Sequence, residues 1–377
     1  MKPLLERLRN RVERAMRSSD PAPLLSLEAV LHPLSMVYGG VMRLRARLYA
    51  RKVLPSKSLP CRVVSIGNLT TGGTGKTPMA VLVAQHIQAR GYRVAVVSRG
   101  YRGRREASGG VVSDGQTIFE GPDAAGDEPH LMARVLAGIP VLVGRDRFAV
   151  GTLAVERFDP EVIVLDDAFQ HLRLKRDLDI VLLDGRSPFG NGFLVPRGML
   201  REPVSALRRA DAVVFTRSDP GAAMRECADM PAHCPVFRAR HAPVVRCVDP
   251  QSGGFLTQTT DIAMLAGERV VAFAGLADNE QFFAGLARAG CILAETLAFT
   301  DHYRYRSGDL ERLAQVAGAT GAAFLVTTLK DYVKIERWTP PVALVAVDAG
   351  IQFVDSDDIF HALIAHAIDS EHARRTA

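Results

Sequence analysis

Residues 63–77 read Val63-Val64-Ser65-Ile66-Gly67-Asn68-Leu69-Thr70-Thr71-Gly72-Gly73-Thr74-Gly75-Lys76-Thr77. The first five form an apolar run without alternation, which predicts a strand covered on both faces. Pro78 to Arg90 then carries a helical pattern that stops at Gly91. Proline is tolerated in a first helical turn, and glycine suits a left-handed cap. Strand, glycine-rich loop and helix thus follow in the order that phosphate binding requires. Gly72, Gly73 and Gly75 let backbone N–H groups close around phosphate oxygens, and the helix dipole adds positive potential. Thr70 to Thr77 is the candidate nucleotide loop: Lys76 reaches the β- and γ-phosphates, and the Thr77 hydroxyl suits Mg²⁺. The strict pattern asks for glycine where Thr70 stands. The dimeric switch ATPases with Lys-Gly-Gly-x-Gly-Lys-Thr are a poorer match, because Thr71 occupies the place of their lysine.

Outward from this loop, further apolar runs predict strands at 94–98, 141–143, 162–166, 180–183, 213–216, 270–274, 323–327 and 342–347. Strands alternating with helical stretches indicate βαβ units. The fold class is therefore α/β: a P-loop NTPase-like, mostly parallel sheet with flanking helices, a second, smaller α/β lobe and an N-terminal amphipathic segment. A stretch rich in Pro, Cys, His and Gly between about 220 and 262 separates the lobes. The expected division is 1–57, a basic amphipathic segment; 58–240, the P-loop lobe; and 241–377, the lobe that completes a cleft.

Charge is unevenly spread over the 377 residues, whose net value is +6. Residues 1–57 hold twelve Lys/Arg against four acids, so the cationic excess sits at the front. That suggests an anionic partner, a membrane or nucleic acid. The uncharged run Ala29–Met42 spans 14 residues, short of the about 20 that a crossing helix needs. Arg43, Arg45 and Arg47 flank it. The run reads as a helix lying in a membrane interface, or as a helix packed on the body with a solvated basic face. Five cysteines without a CxxC spacing fit a reduced, cytoplasmic protein. Cys227, His233, Cys234, His241 and Cys247 crowd one stretch, but their spacing matches no zinc pattern.

Val162 to Leu165 ends in Asp166-Asp167, a hydrophobic strand closing on the carboxylates that hold Mg²⁺ in P-loop enzymes. Gly126-Asp127-Glu128-Pro129 opens a helical stretch. Asp127 there is either an N-cap or the base that accepts the proton of an attacking hydroxyl. Phe299-Thr300-Asp301-His302-Tyr303-Arg304-Tyr305 is a polar-aromatic cluster in which His302 could orient such a base.

These motifs resemble the tetraacyldisaccharide 4'-kinase family of lipid A biosynthesis. The similar segments are Ser65–Pro78, Ser98-Arg99-Gly100-Tyr101, Gly126–Pro129, Leu165–His171, Asp184 to Gly192, Gly198-Met199-Leu200-Arg201-Glu202-Pro203, the Phe299–Tyr305 cluster and Thr327–Asp331. The resemblance implies transfer of the γ-phosphoryl of ATP, with Mg²⁺, to the 4'-hydroxyl of a tetraacyldisaccharide 1-phosphate, giving lipid IVA. It implies a lipid disaccharide acceptor and a peripheral place on the cytoplasmic face of the bacterial inner membrane, with no nucleic-acid partner. It gives Asp127 as base with His302, Lys76 as phosphate-stabilising lysine, and Thr77, Glu128 and Asp166 around the metal. Asp167, Arg201 and Glu202 become further active-site members. Leu329 stands where the family has an acid, and Arg197-Gly198-Met199 is atypical.

Two other classes fit parts of the sequence. Thr216-Arg217-Ser218-Asp219 faintly matches a guanine-reading motif and suggests a membrane-associated GTPase or ATPase switch. The basic front suggests a nucleic-acid-binding ATPase, although stacking aromatics are sparse there.

Overall fold

The computed structural model describes residues 11, 16, 26–218, 234–248, 255–276, 278–301, 303–335, 338–354 and 356–369. Its strands are β1 (Arg62–Asn68), β2 (Val94–Ser98), β3 (Gly110–Ser113), β4 (Val141–Val143), β5 (Val162–Asp166), β6 (Leu178–Asp184) and β7 (Ala212–Thr216). They continue with β8 (Val236–Val248), β9 (Phe255–Asp261), β10 (Arg269–Ala274), β11 (Ile292–Ala298), β12 (Phe324–Thr328) and β13 (Ala343–Phe353). All join one sheet in the order β11-β10-β12-β13-β8-β7-β6-β1-β5-β2-β4-β3, with β9 added beside β8. Pairing is parallel except at β3–β4, β8–β13 and β8–β9.

The glycine loop's own strand, β1, lies between β5 and β6. Its residues alternate between two apolar layers. Val64 and Ile66 pack with Met79, Val83 and Ile87 of the helix Lys76–Ala89. Val63 faces the layer of Val150 and Ala154 from the helix Arg147–Phe158. Each such valine, isoleucine or methionine, fully removed from water, stabilises the fold by about 1.5–3 kcal/mol. Burial on both faces explains why these strands read as unbroken Val/Ile/Leu runs. The P-loop helix begins at Lys76, two residues before the expected Pro78, and Gly91 follows its end at φ 93°.

Every predicted strand is present, while β3, β8, β9 and β11 were not anticipated. β11 is an edge strand with four of its seven residues exposed, so its apolar pattern is diluted. β8 carries Arg238, Arg240, His241, Pro243 and Arg246, a composition that reads as a boundary. Its first residues pair with β7 and the remainder with β13. Position 240 therefore lies inside a continuous strand. Beyond it, β10, β11, β12 and β13 pack with the helices Asn279–Arg288 and Ser307–Thr320.

The helix Leu27–Ala50 docks by one face. Leu31, Ser35 and Gly39 are buried. Ser35 Oγ donates to the carbonyl of Leu194 at 2.8 Å, and Tyr38 donates its hydroxyl to the carbonyl of Arg201 at 2.9 Å. Arg45 donates to the carbonyl of Gln170 at 2.9 Å. Away from this contact, Val30, Leu34, Val37, Val41 and Leu44 recur every three or four residues and are each more than half exposed. The helix is packed on the body, and its outer stripe is apolar rather than basic, with Arg43 and Arg47 exposed near its end. No described helix is long and apolar enough to cross a membrane.

Gly67, at the end of β1, meets the chain that follows β5. A Cβ there would lie 2.5 Å from Cβ and 2.8 Å from N of Phe169. This contact brings Asp166 and Asp167 beside the glycine loop. Overpacking such a site costs about 1–3 kcal/mol, so Gly67→Ala is expected to lower the urea midpoint correspondingly. An unchanged midpoint would show that the two segments can separate freely.

Candidate active site

The loop Thr71–Thr77 borders a cleft of about 2300 Å³ between the two halves of the sheet. Gly72 and Gly75 hold φ of 119° and 83°, a region that side-chain-bearing residues rarely adopt. The loop is fastened from several directions. Asn68 donates to Thr74 Oγ1 at 3.0 Å, Thr216 Oγ1 donates to the Thr74 carbonyl at 3.1 Å, and Arg217 donates to the Gly73 carbonyl at 3.0 Å. The amide of Thr71 donates to the Met199 carbonyl at 2.7 Å. The atypical stretch 197–199 thus braces the loop. Thr70 is buried behind it, bridged to Leu200, which accounts for a threonine where the strict pattern has glycine.

At the end of β5 the two aspartates divide. Asp167, at φ 52°, accepts two bonds from Arg201 Nη1 at 2.8 and 2.9 Å and lies 3.8 Å from Lys76 Nζ. Burial alone would push its carboxyl up, but Lys76 and Arg201 together hold it below the usual range. Asp166 is 1% exposed. Burial, then the charges of Glu128 and Asp167, raise its pKa to about 7. Ser98 Oγ donates to one carboxylate oxygen at 3.1 Å, while Oδ1 is buried without a partner among the described residues. The buried Arg147 donates to the Asp166 carbonyl at 3.3 Å and fixes the strand end.

Asp127 and Glu128 open the helix Asp127–Val135 and border the same cleft as Lys76, Thr77, Asp166, Asp167 and Arg201. Asp127 is not an N-cap. Gly126 occupies that position at φ 90°, and Asp127 is the first helical residue.

Other predicted residues lie elsewhere. Glu202 is 1% exposed, pairs with Arg209 at 2.5 Å and is not among the residues bordering the cleft. Arg209 in turn lies 4.6 Å over the Phe169 ring. His302 lies outside the described residues; Arg304 and Tyr305 of the same cluster border the cleft. Lys330 borders it as well, whereas Asp331 is buried and accepts from the Gly275 amide at 2.9 Å and the Thr328 hydroxyl at 2.7 Å. Among the described residues no group of three or more His, Cys, Asp and Glu could hold a metal ion, and Cys227 and His233 are outside them. Ser98 was named only within a family-similar segment, Arg217 only within the guanine-reading match and His241 only in the Cys/His stretch, and Arg147 was not anticipated; Ser98, Arg217 and His241 border the cleft. Ser98 ends a predicted strand, which is a usable signal; a buried arginine such as Arg147 gives none.

The family profile described as "Tetraacyldisaccharide-1-P 4'-kinase" matches residues 27–368. A tetraacyldisaccharide 4'-kinase of Geobacter metallireducens is 47% identical over 308 residues, 81% of this chain and 88% of its own. One from Desulfatibacillum aliphaticivorans is 42% identical over 350 residues, covering 92% and 94%. The crystal structure of the "apo" form of LpxK from Aquifex aeolicus in complex with ATP superposes with a TM-score of 0.74 at 30% identity, over 91% of this chain and 100% of that one. With its glycine loop, paired aspartates and cleft in the matched region, the chain belongs to the tetraacyldisaccharide 4'-kinase family.

Proposed function

We propose that this kinase transfers the γ-phosphoryl of ATP to the 4'-hydroxyl of a tetraacyldisaccharide 1-phosphate at the cytoplasmic face of the inner membrane. The carrying observation is that the glycine loop, Lys76, Asp127, Glu128, Asp166 and Asp167 border one cleft. Family membership disfavours the switch reading. The 58–240 segment supplies the nucleotide loop and carboxylates, 241–377 completes the cleft, and 1–57 meets the membrane.

A sugar hydroxyl is a weak nucleophile, so a carboxylate must take its proton while the phosphates are held in line. Asp127 is that base, and the backbone N–H groups of the loop with Lys76 hold the phosphates. Asp167 anchors Lys76 and Arg201 so that both cations face the transferred group. The donors also suit Mg²⁺, which is bound in kinases by one or two carboxylates plus substrate phosphates. The orphaned Oδ1 of Asp166, with Glu128 charged nearby and the Thr77 hydroxyl on the same cleft, fits that requirement. Bound there, the ion would neutralise charge on the bridging phosphate oxygens.

Asp127→Ala should lower turnover by about 10²–10⁴-fold while ATP affinity stays near wild type, measured with a lipid A disaccharide precursor in detergent. Unchanged turnover removes Asp127 from the base role.

Asp166 gives a pH signature. Its pKa rises on folding, so its contribution to the nucleotide-free protein is fully present below about 4 and is lost as pH rises through about 7. Thermal scans should show Tm falling over that window, with a shallower fall in Asp166→Asn. Parallel profiles for the two proteins would argue against a protonated Asp166.

The apolar stripe on Leu27–Ala50, beside Arg43 and Arg47, has the make-up of an interfacial helix. Replacing Val30, Leu34, Val37 and Val41 by serine is expected to reduce pelleting with anionic vesicles by tenfold or so, about 1.4 kcal/mol. Retention equal to wild type would place the membrane contact elsewhere.

A further inference from the structure

We propose that Asp123 and Arg304 form an ionic strap across the mouth of the cleft, a pair of positioning residues that holds the helix opening on Asp127 against the second half of the molecule during phosphoryl transfer. This deepens the proposed function and rests on Asp127 as its base.

The topology supplies the first argument. β3 and β11 are the two end strands of the sheet order, eleven strand spacings apart. Laid flat, spacings of about 4.8 Å would separate them by about 50 Å. Strand-to-strand twist curls the sheet instead. Asp123 lies in the helix Pro122–Ala125, which follows β3, and Arg304 lies in the segment that follows β11. Arg304 Nη1 nevertheless donates to Asp123 Oδ2 at 3.1 Å, and Nη2 donates to Oδ1, a two-pronged pair between residues 181 positions apart. Both border the cleft that holds Lys76 and Asp127. The halves also meet where Met132 of the helix Asp127–Val135 joins Leu329 and Tyr332 of the helix Leu329–Tyr332 in one buried apolar cluster. The side chains of Asp123 and Arg304 are instead more than half exposed. An exposed ion pair opens and re-forms at little cost, which suits a cleft that must admit substrates and release products.

The mounting of the two residues supplies the second. On one side, the Arg104 amide donates to the Asp123 carbonyl at 3.1 Å, and a Cβ on Gly103 would lie 2.5 Å from the Ala124 carbonyl oxygen. The Gly126 amide donates to the Pro122 carbonyl at 2.8 Å, and Asp127 is the next residue. A pull on the Asp123 carboxylate is therefore passed through one tight turn to Asp127. On the other side, Arg304 stands between Tyr303 and Tyr305. Their rings lie 4.7 and 5.0 Å from that of Phe299, and Tyr305 lies 5.6 Å from Phe273 of β10. A Cβ on Gly275 would lie 3.2 Å from Cβ of Tyr303, so this segment is packed hard on the end of β10. A bidentate bond between two such mounts fixes their angle as well as their separation. Misplacing reacting groups by about 1 Å can cost about 10²-fold in rate, so a weak contact at the rim has leverage on the transfer step.

The test uses the full-length wild type, Asp123→Ala, Arg304→Ala, the double alanine variant and the charge swap that combines Asp123→Arg with Arg304→Asp. It measures phosphoryl transfer from ATP to a lipid A disaccharide precursor in detergent, and backbone hydrogen exchange without substrate. Each single alanine should lower kcat about fivefold with Tm unchanged. The double variant should lose no more than either single one, and the swap should recover most of the rate. Exchange in residues 122–135 and 303–312 should quicken in both single variants. Losses that multiply in the double variant would overturn the strap, as would a swap no faster than that variant or an unchanged kcat in either alanine. A wild type inactive on the precursor would sink the proposed function. The exchange arm would still decide the strap, with quickened exchange in the alanine variants supporting it and unchanged exchange overturning it.

Discussion

Two neighbouring carboxylates at the end of a buried strand cannot both remain charged without cations close by. Much of the site follows from that constraint at Asp166 and Asp167. Lys76 and Arg201 converge on Asp167, so the lysine of the glycine loop and a residue from a segment more than a hundred positions later are held in one place. At Asp166 burial and the charges of Glu128 and Asp167 outweigh the pull of Lys76 and drive the carboxyl toward the protonated state, and its Oδ1 has no hydrogen-bond partner among the described residues. Ser98 and Arg147 hold its other oxygen and its backbone. On the proposed function, a divalent cation arriving with nucleotide would favour the charged form of Asp166.

The same region ties the front helix to the chemistry. Arg201, which grips Asp167 with its guanidinium, offers its carbonyl to Tyr38 of the helix Leu27–Ala50. A surface bound by the outer stripe of that helix is thereby linked through two hydrogen-bonded residues to the aspartate pair. On the proposed function, in which an acceptor lipid and a soluble nucleotide share one cleft, the docked helix would set the angle between the body and the bilayer.

The parallel core was legible in the sequence because its strands are covered on both faces and so lack any competing polar period. The glycine loop was legible because its conformation demands residue types that little else requires. What escaped notice has physical reasons. β8 mixes arginines, a histidine and a proline with valines because its partners change from β7 to β13 along its length, so no single periodicity survives. Glu202 sat in a motif similar to the family's and was grouped with the active site, but its carboxylate is buried against Arg209. Asp127 offered two roles, and only the three-dimensional position of Gly126 removed the capping one. Arg217 and His241 come together through strand order, which local sequence does not encode.

β8 also has a mechanical consequence. It is hydrogen-bonded to β7 at one end and to β13 along the rest, so no slack tether joins the two halves of the molecule at this point. Any change in the aperture between them has to be absorbed as torsion within a continuous ribbon, the deformation that β-structure accommodates naturally.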